Sequence, residues 1–446
     1  MKKAMRHAGL CFLFLFLTKI SLSARALPAV PELKIPFLEQ SASIDGEFNE
    51  SCWQNAALVE NFVNHLEPHE PQQRTSLLMF HNGQSLFFGF TCYDSQMQAL
   101  QKMQAETKYD GSLWVNDCVE IFIGSTENPH LFQQFIVNWR GAGFDSFEAF
   151  GRAGIKPSRW NACWRRAVQL KDDSWQVEVE IPFFSINFPS TAHELRVNFF
   201  REKYNTPGEY SAWSCPYNQL FNQPERFGKL SGIQRPVREI SILEQEIKWP
   251  LFLSTKKNII SCTLASQAEQ PWSGSLVAAY CLPGEAQLQE LGSWPVSLQP
   301  GQWNTCSVEF DWERQKSDIS VVLGLRQSGS DKTDWQLLNT LLSQEAFIVG
   351  LKPVVLYQKR SATTVCVLNE TEGVEEVGYE ILDAEKRRLK TGKQPAQPQT
   401  YLEVESGELP PGGYLLRFNC YDRDGKVIRS SAAEPLWITI DPFKGK

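Results

Sequence analysis

The sequence predicts an all-β protein, with a large N-terminal β-sandwich followed by two smaller β-sandwiches. Short apolar runs alternate with polar residues at a period of two, the pattern of strands that bury one face in a core. Clusters of Gly, Pro, Asn and Asp separate these runs, and residues 96–108 are the one stretch with a helical composition. At 446 residues the chain is too long for a single core.

Composition and charge exclude some classes of function. Hydrophobic residues make up 42% of the chain and charged residues 21%, as in folded soluble proteins. The formal net charge of −7 argues against a nucleic-acid partner, which would need a basic surface. No stretch beyond the N-terminus reaches about 18 consecutive apolar residues, so no membrane span is predicted.

The first 26 residues have the pattern of a secretory signal peptide. Lys2, Lys3 and Arg6 precede a short apolar run, and small residues stand at a cleavage site that ends at Ala26. We therefore expect a secreted protein, extracellular or periplasmic. Of the 11 cysteines, all but Cys11 remain after cleavage. They contain no Cys-x-x-Cys pair, which argues against zinc, and both buried thiols and disulfides stay open.

Residues 27–234 are predicted to form the first sandwich. Asn82-Gly83 joins two apolar runs and is a hairpin signal. The predicted strands of this unit are residues 77–80, 86–93, 113–124, 132–139, 175–181 and 195–201.

The stretch at residues 113–124 combines a core face with polar chemistry. Val119, Ile121 and Ile123 share one face and are expected in the core. Trp114 and Glu120 stand near the start of the stretch, where we expect them at the mouth of the sandwich.

The second half of the chain predicts two further β units. Residues 235–246 are charged and aperiodic, as in a linker, and residues 247–346 and 347–446 follow as the two modules. In the last module a Pro-Pro-Gly-Gly turn precedes an apolar strand at residues 415–420. This arrangement resembles the late strands of immunoglobulin-like or fibronectin-like modules, so both units are expected to be immunoglobulin-like β-sandwiches.

Short motifs follow one another in a fixed order along the first unit. They are Ile44-Asp45-Gly46 with Trp53, Leu86-Phe87-Phe88 with Asp94, Trp114 with Asp117 and Glu120, Phe135 with Val137-Asn138, Trp175 with Glu178, Ile181-Pro182, Val197-Asn198-Phe199, Trp213-Ser214 and Phe227-Gly228. In this order and spacing they resemble the family 9 carbohydrate-binding modules over residues 33–233. The wider superfamily of that family also contains haem-binding domains.

The resemblance implies a module that clamps a sugar between two indole rings. By motif position the indoles are Trp114 and Trp213, and Glu120 and Asn138 match polar positions that face the ligand. The chemistry is reasonable, because pyranose C–H faces pack on flat aromatic rings while directional hydrogen bonds fix the hydroxyls. The alternative is that both Trp residues are ordinary sandwich aromatics and that Glu120 is a solvated or ion-paired carboxylate.

One position departs from the family pattern. Family members that bind plant polysaccharides carry a basic residue directly before the Val-Asn of the second strand, where this chain has Ile136. Arg201 is a candidate replacement for that hydrogen-bond donor.

Structural calcium is also implied by the resemblance. Asp45, Glu47 and Asp94 occupy turn positions where carboxylates could converge on a hard cation, and Asp110 and Asp117 are further candidates. The alternative is that these carboxylates cap backbone turns.

The sequence therefore predicts a secreted, non-catalytic protein that binds a glycan end or short oligosaccharide, in the context of polysaccharide catabolism, with a glycoside hydrolase as candidate partner. It contains no Gly-x-Ser-x-Gly, His-Glu-x-x-His or phosphate-loop motif. The main alternative is a polysaccharide hydrolase or lyase that carries this domain for targeting. A haem protein using His81 or Met79, and a purely structural envelope protein, are the others.

Overall fold

The computed structural model is almost entirely β-structure, which confirms the all-β prediction. It describes residues 29–124, 131–149, 160–188, 192–205, 207–215, 217, 221, 223–250, 252–253, 257–312, 318–343, 347–350, 355–368, 373–431 and 433–439. The predicted signal peptide lies outside the described residues. The helices are single turns, α1 (Ser51–Gln54) and α2 (Met97–Leu100). No helix in the described part of the chain is long and apolar enough to cross a membrane.

The first unit consists of two sheets packed face to face. The front sheet contains β1 (Glu32–Lys34), β3 (Val63–Asn64), β6 (Cys118–Gly124), β7 (Leu131–Asn138), β8 (Gly143–Ala149), β11 (Leu195–Lys203), β12 (Glu209–Ala212) and β13 (Gly228–Ser231). The back sheet contains β2 (Ala57–Val59), β4 (Thr75–His81), β5 (Ser85–Tyr93), β9 (Arg165–Leu170) and β10 (Ser174–Pro182). The strand orders are β1-β13-β11-β6-β7-β8, with β12 between β11 and β3, and β2-β4-β5-β10-β9.

The core of the first unit lies between these sheets and follows the predicted alternation. Val119, Ile121 and Ile123 of β6 are buried in one cluster with Val177 and Val179 of β10. β4, β5, β7, β10 and β11 agree with the predicted strands to within two residues at each end. Period-2 patterning therefore identified both the strands and their core faces.

Two local predictions are wrong. Residues 113–115 form a 3₁₀ turn (Leu113–Val115) instead of the start of the strand, and the Asn116 amide closes it by donating to the Leu113 carbonyl at 3.0 Å. The helical stretch at residues 96–108 shortens to the four residues of α2. Met97 and Leu100 are its buried side chains, and tertiary packing stabilises just this one turn.

β10 also buries the carboxylates on its outer face. The Glu178 side chain is fully covered, and its Oε2 accepts hydrogen bonds of 2.8 Å from the amides of Asp45 and Gly46. Its Oε1 accepts a 2.8 Å hydrogen bond from the Trp53 indole. The segment before β2 thus covers this face, and burial raises the pKa of Glu178 to about 7.

The second unit begins within the segment predicted to be a linker, because that segment contains a strand. Its sheets are β14 (Ile240–Ile242), β16 (Lys257–Ser266) and β19 (Trp303–Asp311), and β15 (Phe252–Leu253), β21 (Asp334–Ser343), β20 (Ile319–Gln327), β17 (Trp272–Cys281) and β18 (Gln289–Leu298), each in this order. β14 lies inside the predicted linker at residues 235–246. It pairs with β16 and buries Ile240 and Ile242, because alternation continues through this short segment.

The third unit repeats the two-sheet arrangement. One sheet is β22 (Phe347–Gly350), β24 (Ser361–Leu368) and β27 (Gln399–Glu405), and the other is β23 (Val355–Tyr357), β30 (Glu434–Thr439), β28 (Gly412–Tyr421), β25 (Glu376–Leu382) and β26 (Arg388–Pro395), with β29 (Val427–Ser430) beside β28. Each later unit has its own apolar cluster. The immunoglobulin-like assignment and the domain boundaries stay predictions.

A disulfide between Cys163 and Cys281 joins the first unit to the second. Hydrogen bonds surround it, including a reciprocal pair in which the Asn187 side chain donates to the Leu338 carbonyl at 3.0 Å and accepts from the Leu338 amide at 2.9 Å. Cys92, by contrast, is a buried thiol. The cysteines therefore serve both of the roles that the sequence left open.

Phe199 of β11 is the side chain we would remove to test the core. Its ring lies 5.9 Å from that of Phe88, 6.2 Å from Phe90 and 5.5 Å from Trp213, between centroids. We expect Phe199→Ala to lower the free energy of unfolding by about 3–5 kcal/mol, measured by urea denaturation. Val237→Ala, at a side chain 93% exposed, is the control and should change it by less than about 0.5 kcal/mol.

The disulfide gives a second prediction. Cys281→Ser opens a loop closed across 118 residues and should cost about 2–5 kcal/mol of stability. Peptide mapping without reductant should recover a linked pair of peptides containing Cys163 and Cys281. Cys306→Ser, at a half-buried thiol of β19, is the control that keeps this link. A map in which Cys163 is alkylated under native, non-reducing conditions would contradict the pairing.

Candidate functional site

A cavity of about 540 Å³ opens on the outer face of the front sheet, the face turned away from the core. Its size is that of small-ligand sites. We call it the cleft, and its lining residues are His65, Leu66, Trp114, Glu120, Gln134, Glu202, Tyr204, Tyr210 and Phe221.

Strand alternation places the polar floor of the cleft. In β6 the core face takes Val119 and Ile121, so Glu120 points to the opposite side. β11 pairs antiparallel with β6, with Phe200 opposite Glu120 and Glu202 opposite Cys118. Glu120 and Glu202 are therefore diagonal neighbours on one face, within reach of each other.

These two carboxyl groups form a buried, proton-sharing pair. The exposed fractions of Glu120 and Glu202 are 1% and 3%, and ligand atoms of both, with the Cys118 sulfur, lie within 4.8 Å of one another. Gln134 donates a 2.8 Å hydrogen bond to Glu120 Oε2. Burial raises the pKa of both carboxyls, and the charge of Glu120 raises the pKa of Glu202 far above its usual range. At neutral pH Glu202 thus keeps its proton and donates it to the Glu120 carboxylate.

Aromatic side chains form the walls. Trp114 lies at the rim with 44% of its surface exposed, and its ring meets that of Phe144 edge to face at 5.6 Å. Phe221 packs against the ring of His65 at 4.6 Å and against Phe200 at 4.7 Å. A ligand could therefore lay an apolar face on the wall while its polar groups bond to the floor.

Trp213 does not join Trp114 in the cleft. It is 5% exposed and belongs to the core between the sheets, where its ring packs against Phe199 at 5.5 Å. Gly228 makes room for it, because a Cβ there would lie 2.2 Å from the Trp213 ring. The predicted clamp of two indoles is therefore wrong, and the cleft has one indole platform.

Asn138 is a structural residue at the end of β7. It is fully buried, and its amide donates to the Glu106 carbonyl at 2.8 Å and to Asn116 Oδ1 at 3.1 Å. Its Oδ1 accepts from the amides of Arg140 and Ala142 at 3.1 and 3.0 Å. With these bonds it holds loops together, and it does not line the cleft.

Arg201 also lies away from the cleft. It is next to Glu202 in β11, so it points to the other face of the sheet, and it is 2% exposed. Its Nη1 donates to the Arg74 carbonyl at 3.1 Å. Burial raises the pKa of Asp117, and the positive charge of Arg201 partly offsets that rise. Arg201 therefore does not supply the donor that Ile136 lacks.

The three predicted calcium ligands are held separately. Asp45 Oδ1 accepts the Glu47 amide at 2.9 Å, and the Glu47 carboxylate pairs with Lys171 at 2.8 Å. Asp94 is buried and accepts a 2.8 Å hydrogen bond from the Asn205 side chain. The three carboxylates therefore make separate contacts, a turn cap, an ion pair and a hydrogen bond, instead of converging on one point.

Of the two further calcium candidates, Asp117 fits a cation better. Asp117 accepts the Asn205 amide at 3.1 Å, so Asn205 joins Asp94 to Asp117. Asp117 Oδ2 and Asn205 Oδ1 are buried without a hydrogen bond and are oxygen ligands of the kind calcium prefers. Asp110 lies elsewhere, where its Oδ1 accepts the Asp145 amide at 3.4 Å. Calcium binding stays a prediction.

The two haem-ligand candidates from the sequence, His81 and Met79, are both buried within the first unit. His81 is buried, its Nδ1 accepts the Gly83 amide at 3.2 Å, and its Nε2 lies 3.2 Å from the Gly232 carbonyl. Met79 is 1% exposed in the core.

Sequence reasoning missed most of the lining of the cleft. Glu202 could have been found, because it directly follows the predicted strand at residues 195–201 and continues its alternation. Its proximity to Glu120 depends on the register of β11 against β6, which no local pattern reveals. The other missed residues are His65, Leu66, Gln134, Tyr204, Tyr210 and Phe221.

The buried carboxyls predict an unusual dependence of stability on pH. Burial raises the pKa of Glu202, and that of Glu178 to about 7, from 4.5 in the unfolded chain. The folded protein then binds more protons than the unfolded chain, so the free energy of unfolding should fall as pH rises from about 5 to about 8, by up to about 1.4 kcal/mol per pH unit for each group. Urea denaturation across this range should show a smaller fall for Glu202→Gln. A wild-type stability that rises with pH would contradict this.

Comparisons with known proteins give a family match that lies in the first unit. Residues 44–233 match the family described as carbohydrate family 9 binding domain-like. No curated protein matches the chain. A candidate carbohydrate-binding protein from Bacteroides uniformis ATCC 8492 aligns with 45% of this chain and 98% of its own, at 18% identity and a TM-score of 0.38. Red sea bream transglutaminase aligns with 46% of this chain and 32% of its own, at 12% identity and a TM-score of 0.25.

The family match includes every residue that lines the cleft. It also includes all but the first strand of the two sheets of the first unit. Residues 44–233 are a family 9 carbohydrate-binding-like domain.

Proposed function

We propose that this protein binds carbohydrate in the cleft without modifying it, taking a glycan end or a short oligosaccharide. The observation that carries the proposal is the half-exposed Trp114 indole beside the buried Glu120–Glu202 pair, in one cavity of a carbohydrate-binding-like domain. Pyranose rings present the same two surfaces, an apolar C–H face and a rim of hydroxyls.

Each part of the cleft has a separate role in this proposal. Trp114 is the platform on which a sugar ring packs. Glu120 accepts hydrogen bonds from sugar hydroxyls, and Gln134 holds its carboxylate in place through the 2.8 Å hydrogen bond. A preformed floor costs little ordering on binding, which favours affinity.

The spacing of the carboxyls supports binding over hydrolysis. Glycosidases hold their two carboxyls about 5–5.5 Å apart when retaining and about 6.5–9.5 Å apart when inverting, because substrate or water must fit between them. Glu120 and Glu202 are in direct hydrogen-bond contact. The hydrolase or lyase alternative would need a catalytic centre elsewhere in the chain.

Export of the protein is also part of the proposal. The N-terminal signal pattern and the Cys163–Cys281 disulfide both suit an oxidising compartment. In this setting the two later units act as spacers or docking surfaces, and a glycoside hydrolase is the expected partner.

Trp114→Ala tests the platform. Calorimetric titration with a panel of neutral and charged oligosaccharides should identify a ligand of the wild type, and Trp114→Ala should weaken its binding at least tenfold, about 1.4 kcal/mol. Trp303→Ala removes an indole that is 63% exposed on β19 of the second unit, and it should bind like the wild type.

Two results would contradict the proposed function. One is a wild type that binds no member of the panel, and the other is the same affinity in Trp114→Ala and wild type. Release of new reducing ends during the titration would instead favour the hydrolase alternative.

A further inference from the structure

The floor of the cleft carries a negative charge that no Lys or Arg of the described lining balances. Its lining contains two glutamates and, among the described residues, neither Lys nor Arg. Lys203 is turned to backbone, with its ammonium donating to the carbonyls of Asn205 and Pro207 at 3.0 and 3.1 Å. The Glu120–Glu202 pair therefore keeps one negative charge and one shared proton.

Among the described residues, neither the thiol nor the two phenols beside the pair neutralise this charge. Cys118 is a buried thiol, and burial raises its pKa well above the usual range, so it stays protonated and uncharged. Tyr204 and Tyr210 are phenols, and burial beside Glu202 raises the pKa of Tyr210. The His65 ring packs between Phe200 and Phe221, at centroid distances of 5.3 and 4.6 Å.

The walls also suit a cation. The described lining includes four aromatic side chains that can face a cation, Trp114, Tyr204, Tyr210 and Phe221. The faces of aromatic rings attract ammonium groups, most strongly where water is excluded. An acidic floor inside an aromatic wall is a combination that selects for a positively charged group of the ligand.

We infer that the cleft selects sugars carrying a protonated amine, and that the ammonium group takes the place of the proton shared by Glu120 and Glu202. This inference rests on the proposed function and specifies its ligand class. An ammonium has three donors, so it can bond to both carboxylates at once while its pyranose ring packs on Trp114. A hydroxyl at the same position has one donor and leaves the shared proton in place.

The exchange balances in charge and atoms. Before binding, the pair holds one proton and a net charge of minus one. On binding, that proton leaves Glu202 for solvent, both carboxylates are ionised, and the ammonium brings the charge of the site back to minus one. A sugar acid would add a second negative charge, so uronate ligands are rejected by like-charge repulsion.

Calorimetry with matched sugars tests this. β-1,4-linked glucosamine and glucose disaccharides differ only in an amine for a hydroxyl on each ring, and a glucuronate-containing disaccharide supplies the negative charge. At a mildly acidic pH, where the amine is protonated, the wild type should bind the glucosamine disaccharide at least tenfold more tightly than the glucose one and the glucuronate one least. In two buffers of different ionisation enthalpy, the heats with glucosamine should show close to one proton released per ligand.

Glu202→Gln is the informative variant, because its amide can still donate to Glu120 but cannot ionise. It should lose both the amine preference and the proton release. Glu39→Gln, at an exposed carboxylate away from the cleft, should behave like the wild type. If Glu202→Gln does not fold, the proton count of the wild type still decides.

The outcomes separate the two proposals. Equal or tighter binding of the glucose disaccharide, or amine binding without proton release, would overturn the amine inference and leave carbohydrate binding standing. Failure of the wild type to bind any of these sugars or any of the wider panel would overturn the proposed function itself.

Discussion

The antiparallel pairing of β6 with β11 is the constraint on which the site depends. It places Phe199 and Ile121 opposite each other on the core face and brings Glu120 and Glu202 together on the other. A shift of one residue in this pairing would exchange the two faces, burying the carboxyls in the core and exposing the apolar side chains. The burial of the core face therefore fixes the chemistry of the cleft, and stability and function share one register.

Burial of carboxyl groups recurs in the first unit, and the protein compensates for it in two ways. Glu178 receives two backbone amides and an indole N–H, so its cost is offset by hydrogen bonds that anchor the segment before β2. Glu120 and Glu202 have fewer donors and share a proton instead. The first arrangement closes a surface, whereas the second leaves acceptor capacity that opens toward a cavity.

The second unit is bonded directly to the unit that carries the cleft. The Cys163–Cys281 disulfide, together with the hydrogen bonds between Asn187 and Leu338, fixes the second unit against the first. A segment expected to be a linker contributes β14 to the second unit. The cleft is thus carried on a larger body in which the first two units are bonded directly to each other.

The sequence by itself determined the all-β class, most strand positions and the core faces. Period-2 alternation is a local property, and the apolar face that it defines is the face that becomes buried. Trp114 and Glu120, which the sequence singled out, both line the cleft, one beside the strand and one within it. Tertiary structure decided the rest. Trp213 lies in the core, where Gly228 leaves space for its ring. Arg201 is buried on the face of β11 opposite to Glu202. Glu202 lies beside Glu120 because of the register between β11 and β6. These outcomes depend on contacts between residues far apart in the chain, which no local pattern encodes.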